Sequence, residues 1–136
     1  MVCPDCEAAD PVAFAVPSEL RDHAPATATV ASICPNCLSV ASASETATDG
    51  DPEFSRVHES FPAGDAGVAF ALLIGTLPSI ALRKSSARAL REAAERDGAD
   101  VSLAFDRLIA AVHDAEVVPT FDLERRVRQL NSLLGS

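Results

Sequence analysis

Cys3-Pro4-Asp5-Cys6 returns after 27 intervening residues as Cys34-Pro35-Asn36-Cys37, and these two stretches decide how the N-terminal part of the chain is read. Two residues between cysteines allow a tight turn that aims both thiolates at one ion, while N–H groups of the turn point at the sulfurs. Proline at the first intervening position presets φ for such a turn, so each motif is a preorganised knuckle. Cys3, Cys6, Cys34 and Cys37 are therefore the candidate metal ligands, and a four-thiolate set suits one structural Zn2+ with Zn–S bonds near ~2.3 Å. Strand-like segments accompany the knuckles. Residues 12–16 and 27–33 carry β-branched side chains near alternating positions, and residues 38–41 are a third short candidate. A segment of about 40 residues with few bulky side chains buries too little surface to fold alone. Zinc supplies roughly 10–16 kcal/mol of apparent binding energy, which becomes folding energy. The expectation is a zinc ribbon of short antiparallel strands over residues 1–42 that unfolds when the metal is stripped.

Other thiol chemistries fit the spacing less well. A redox dithiol needs one Cys-x-x-Cys motif on a βαβ scaffold, and here two matching motifs flank strand-like sequence. Disulfides suit secreted chains, whereas Met1 and Val2 run into Cys3 without the basic start and apolar run of a secretory signal, so a cytoplasmic location is expected. Iron in a rubredoxin-like site, with electron transfer as its function, is the main alternative to zinc. Two features count against it: residues 1–42 hold a single aromatic residue, Phe14, and Glu7 and Leu38 stand where such knuckles usually have glycine. Those glycines are also usual in zinc ribbons. Four cysteine ligands leave no open position for a catalytic water. His23, His58 and His113 are isolated in sequence, Ser18, Ser85 and Ser86 lack a Gly-x-Ser-x-Gly context, and there is no Gly-rich phosphate loop. No catalytic residues are assigned, and an enzyme is not expected.

Residues 43–64 read as a linker rich in Ser, Thr, Asp, Glu and Pro, with a turn at Asp49-Gly50-Asp51-Pro52. Phe54, Val57 and Phe61, spaced by three and four, predict that its second half docks. Residues 65–136 read as a helical bundle. Asp65 is the expected cap of a first helix ending near Thr76, apolar on nearly every face and so destined for the centre of a bundle. A second helix is expected over 85–97 before Gly98, a third after the cap Asp100 to about 114, and a fourth from Asp122 to about 134. The fold class is α+β, a small four-cysteine ribbon followed by about four helices. The apolar run over 66–82 is broken by Gly67, Gly75, Thr76, Pro78 and Ser79, which favours a buried helix over a membrane span. Its cover is either the chain's own bundle or a second copy in a homo-oligomer.

Charge narrows the partners. The chain has 20 acidic and 11 basic residues, a net charge of −9, a single lysine, Lys84, and 25 alanines. Such a surface repels polyanions, and the balance is that of proteins kept soluble in molar salt. Through Ser44 the ribbon opposes Asp5, Glu7, Asp10, Glu19 and Asp22 with Arg21 alone and offers few rings for base stacking. The basic groups Arg83, Lys84, Arg88, Arg91, Arg125, Arg126 and Arg128 lie among helical carboxylates. A helix-turn-helix around Gly98 would need polar readers on the next helix, and residues 101–109 are largely core-like. An unidentified protein partner is expected ahead of nucleic acid. Contact with the transcription or translation machinery is the alternative.

The two Cys-Pro-x-Cys knuckles, Phe14-Ala15-Val16-Pro17 with Leu20-Arg21, and Asp122-Leu123-Glu124-Arg125-Arg126 together resemble a haloarchaeal family of small uncharacterised zinc-ribbon proteins over nearly the whole chain. The resemblance implies a haloarchaeal cytoplasmic protein whose four cysteines bind metal, and it brings no catalytic residues.

Overall fold

The computed structural model describes residues 3, 5–7, 10–44 and 51–135; Pro4 and the Asp49-Gly50 part of the expected turn lie outside them. The fold is α+β. Three strands, β1 (Val12–Ala15), β2 (Val30–Ile33) and β3 (Val40–Ser42), form an antiparallel sheet in the order β1-β2-β3. Phe14 faces Ala31, and Ile33 is flanked by Val12 and Val40. β2 starts three residues later than the sequence suggests. Ala26 and Thr27 adopt left-handed φ values of 54° and 50°, closing short 3-10 turns over Ser18–His23 and Pro25–Thr27 before the chain can extend.

Four helices follow: α1 (Gly64–Thr76), α2 (Lys84–Arg96), α3 (Val101–His113) and α4 (Leu123–Leu134). The caps of α3 and α4 are those expected. Asp100 accepts the Leu103 N–H at 3.0 Å and Asp122 accepts the Arg125 N–H at 3.1 Å, each satisfying an N–H that the helix leaves without an internal partner. Asp65 is not a cap. The cap position of α1 is Ala63, with no side-chain hydrogen bond there, and Asp65 lies in the first turn, where its charge faces the positive end of the helix dipole. Beyond Thr76, whose buried hydroxyl donates to the Leu73 carbonyl at 2.7 Å, Leu77–Leu82 tightens into 3-10 turns kinked at Ser79.

Every residue of α1 from Ala66 to Ile74 is buried. Gly64–Leu82 is long and apolar enough to cross a bilayer by length and composition, and 67% of its most apolar window is covered by the protein itself. α2 and β3 are among the elements that pack on α1, so cover for the apolar helix comes from within the chain.

One apolar core spans sheet and helices, and phenylalanines run through it. Phe14 on β1 meets Phe54 at 5.5 Å between centroids, Phe54 meets Phe61 at 5.1 Å, Phe61 meets Phe70 of α1 at 5.1 Å, and Phe70 meets Phe105 of α3 at 4.8 Å. The tilted and edge geometries favour aromatic pairs beyond the area they bury. Phe54, Val57 and Phe61 are buried as expected, so this part of the connection is a layer of the core.

The glycines that interrupt the apolar run are sites of close approach. A Cβ on Gly67 would lie 2.3 Å from the Pro62 carbonyl oxygen and 2.6 Å from the Phe54 ring, and one on Gly75 would lie 3.0 Å from Val40 Cβ on β3. Gly67→Ala is therefore expected to destabilise the protein by about 1–3 kcal/mol, because backbone must move. Gly75→Ala should stay within about 1 kcal/mol of the parent, since alanine's helix preference opposes a small displacement of Val40. Denaturant unfolding of the two variants checks the order.

Candidate metal centre

The loop before β1 and the turn between β2 and β3 bring the two knuckles together at one end of the sheet. Sγ atoms of Cys3, Cys6, Cys34 and Cys37 all lie within 4.8 Å of one another, with Cys3, Cys34 and Cys37 buried and Cys6 half-buried. Two contacts run between the knuckles, Cys3 to Cys37 and Cys6 to Cys34, both at 3.6 Å. A disulfide needs ~2.05 Å, and none of the four is bridged. A tetrahedron of sulfurs around an ion with bonds of ~2.3 Å has edges of ~3.8 Å. The observed spacing fits that donor set.

Backbone N–H groups converge on the sulfurs. Asp5 N–H lies 3.4 Å from Cys3 Sγ, and the N–H groups of Asn36 and Cys37 each lie 3.4 Å from Cys34 Sγ. These are the donors that the Cys-x-x-Cys turn was expected to supply. Burial pushes the Cys34 and Cys37 thiols upward; opposing it are backbone donors from Cys37 and Asn36 on Cys34 and from Ser39 on Cys37. Four thiolates crowded in this space need a cation among them.

Each knuckle closes with a left-handed residue. Glu7 has φ 57° and its N–H bonds the Cys3 carbonyl at 2.9 Å; Leu38 has φ 62° and bonds the Cys34 carbonyl at 3.0 Å. Glycine would adopt this conformation without the penalty of roughly 1–2 kcal/mol that a Cβ incurs. The departures from glycine noted in the sequence therefore leave the turn geometry intact. At Leu38 the compensation is visible. Its side chain is 1% exposed and belongs to the main core, a burial that contributes about 1.5–3 kcal/mol. Glu7 is exposed.

The chain belongs to the family of unknown function DUF6276. The family model matches residues 2–134, so knuckles, sheet and helices all fall within one matched unit. Neither the curated proteins nor the solved structures returned a match.

Asn36, unremarked in the sequence beyond its place in the motif, joins three parts of this family member. Its side-chain Nδ2 lies 3.5 Å from Cys6 Sγ on the other knuckle, its own N–H points at Cys34 Sγ, and its carbonyl accepts the Val118 N–H at 2.7 Å from the α3–α4 loop. The Ser39 hydroxyl also hydrogen-bonds the Asp5 carboxylate across the two knuckles. An amide one residue from a ligand carries no sequence signal of such a role.

The three histidines lie outside the cysteine cluster. His23 Nδ1 is 2.9 Å from Ser86 Oγ, and Arg83 donates to the His23 carbonyl at 3.0 Å, which together fasten the 3-10 turn after β1 to the start of α2. His58 Nδ1 accepts the Ser60 N–H at 3.0 Å, and His113 Nε2 lies 3.1 Å from Glu124 Oε1. Among the basic residues, Arg91 reaches Asn131 of α4 and Ser102 of α3 and lies 3.6 Å from Glu95, locking three helices together.

Asn36→Ala keeps all four ligands and removes the Nδ2 donor, so metal affinity should fall about 10–100-fold in a competition titration with a chromophoric chelator. Glu7→Gly should raise the stability of the metal-loaded protein by about 1 kcal/mol, whereas Leu38→Gly should lower it by about 2 kcal/mol or more, as the lost burial exceeds the relief. Thermal unfolding of the pair separates the two effects.

Proposed function

We propose that the protein is a zinc-stabilised, non-catalytic interaction protein of a reducing, cytoplasmic setting. The observation that carries this reading is the closed all-cysteine set, in which four thiols converge from two knuckles with backbone donors aimed at the sulfurs. Four protein ligands fill a tetrahedral ion, so bound zinc would fix the fold and have no open position for a reacting water. Tetrahedral thiolate sites take zinc or iron. Zinc is favoured because the cysteines form a cluster apart from the core that holds the phenylalanines, with no aromatic shell. The acidic surface supports a protein partner over nucleic acid, whose phosphates it repels.

The support given to the sheet by Phe14 and Ile33, both fully buried in the shared core, refines the expected effect of metal removal. Chelation should disorder the knuckles first, with amide dispersion lost for residues 5–7 and 36–39, and should lower the melting temperature. Acid acts in the same direction, because protons compete with the ion for thiolates, so affinity falls as pH falls.

Elemental analysis of the purified protein is expected to give one zinc per chain and a colourless solution; a red, iron-loaded protein would overturn the zinc assignment. Pull-downs from low to molar salt are expected to recover a protein partner that survives nuclease. Recovery of polymerase or ribosomal components only in nuclease-sensitive form would favour the nucleic-acid alternative instead.

A further inference from the structure

The α3–α4 loop carries a feature that the metal centre does not use. Between the end of α3 and the start of α4 lies a groove of about 410 Å3. Ile109, Val112, Val118, Pro119 and Phe121 supply its apolar wall, and none of its lining residues is Lys or Arg. Val118 is 58% exposed, one of the most exposed large apolar side chains among the described residues. From residue 113 to residue 124 the chain has four carboxylates, Asp114, Glu116, Asp122 and Glu124, and no Lys or Arg. All four are exposed. Asp122 and Glu124 line the groove and form its acidic rim, with His113 Nε2 3.1 Å from Glu124, whereas Asp114 and Glu116 are not among its lining residues and Glu116 lies 3.9 Å from His58. Val118, which lines the groove, also donates its backbone N–H to the Asn36 carbonyl of the second knuckle.

We propose that this groove docks a cationic amphipathic segment of a partner protein, with one or two bulky apolar side chains entering against Val118 and Phe121 and Lys or Arg side chains meeting the acidic rim. The assignment rests on the reading of the chain as an interaction protein and names the surface and the partner's chemistry. Apolar anchors in a pocket provide most of the affinity of such a contact, and the surrounding charges select the partner and steer its approach. An acidic segment or a nucleic acid would meet like charge along the same rim.

The test uses the metal-loaded full chain and a short labelled peptide of Leu and Lys at helical spacing, with its Leu/Glu counterpart as control. Anisotropy is expected to show the Leu/Lys peptide binding at least tenfold more tightly, with NMR shifts confined to residues 109–124. Val118→Asp is the deciding variant. It makes the rim more acidic while removing the apolar anchor, so docking in the groove predicts a loss of about tenfold or more, whereas unspecific attraction to a protein of net charge −9 predicts equal or tighter binding. Val118 is exposed and its structural hydrogen bond is through the backbone, so the variant is expected to fold, and its NMR spectrum checks that it does. Glu124→Lys, which reverses a charge on the groove's own lining, should weaken binding a few-fold. Equal affinity for both peptides, undiminished binding by Val118→Asp, or shifts centred elsewhere would each overturn the proposal. If both peptides fail while the pull-down recovers a nuclease-resistant partner, the groove assignment falls and the interaction reading stands.

Discussion

The phenylalanine contacts from Phe14 to Phe105 are the constraint on which the rest of the molecule depends. A three-stranded sheet with strands of three or four residues has little independent stability. Here its inner face is continued by Phe54 and Phe61 onto α1 and by Phe70 onto α3, so the sheet is one layer of a larger core. The close approaches at Gly67 and Gly75 belong to the same arrangement: α1 meets the docked connection at one glycine and β3 at the other. Once that layer is in place, both knuckles emerge at one end of it, and the register of β2 against β3 carries Cys34 and Cys37 to their places.

The candidate metal centre complements this core. Apolar packing holds the strands, whereas the cysteines form a separate cluster. The loops that carry them have few apolar side chains, and their turns are closed by left-handed residues with a Cβ. Among the described residues, Leu38 links the two regions, its backbone closing the second knuckle and its side chain entering the core. A leucine in a conformation that suits glycine is explained by that double attachment. Glu7 closes the first knuckle without such an attachment, which leaves the first knuckle more dependent on its cysteines than the second.

How much of this was legible depends on whether the deciding interaction was local. The cysteine quartet, the caps at Asp100 and Asp122, and the helix stop at Gly98 were readable because each is written within a few residues. The docking of Phe54, Val57 and Phe61 was readable from spacing alone. The start of β2 was misplaced because Ala26 and Thr27 take left-handed conformations that their residue types do not announce. Asp65 looked like a cap because composition does not show that the helix starts at Gly64, at φ 62°, with its cap position at Ala63, two residues earlier. The glycines of α1 looked like flaws in an apolar run. Their partners, Phe54, Pro62 and Val40, are brought beside them only by the fold. Asn36 and the pairing of His23 with Ser86 depend on segments far apart in sequence, so nothing local marks them.

The hydrogen bond from Val118 to Asn36 gives the closed site a consequence beyond its own loops. On the proposed reading, a four-thiolate centre acts through what it holds still, and here the knuckle residue between two candidate ligands is bonded to the loop joining α3 to α4. That loop begins at a left-handed Ala115, an arrangement that returns the chain by bonding Ala115 N–H to the Val112 carbonyl and Glu116 N–H to the Ala111 carbonyl. One end of the loop is therefore set by the stop of α3, its middle by the knuckle, and its far end by the cap at Asp122. A short segment fixed at three points presents its exposed side chains in a preformed arrangement, which limits the ordering entropy that binding must overcome. On the reading proposed above, metal binding and recognition are thus linked through the backbone of the protein, with no ligand side chain taking part in the contact itself.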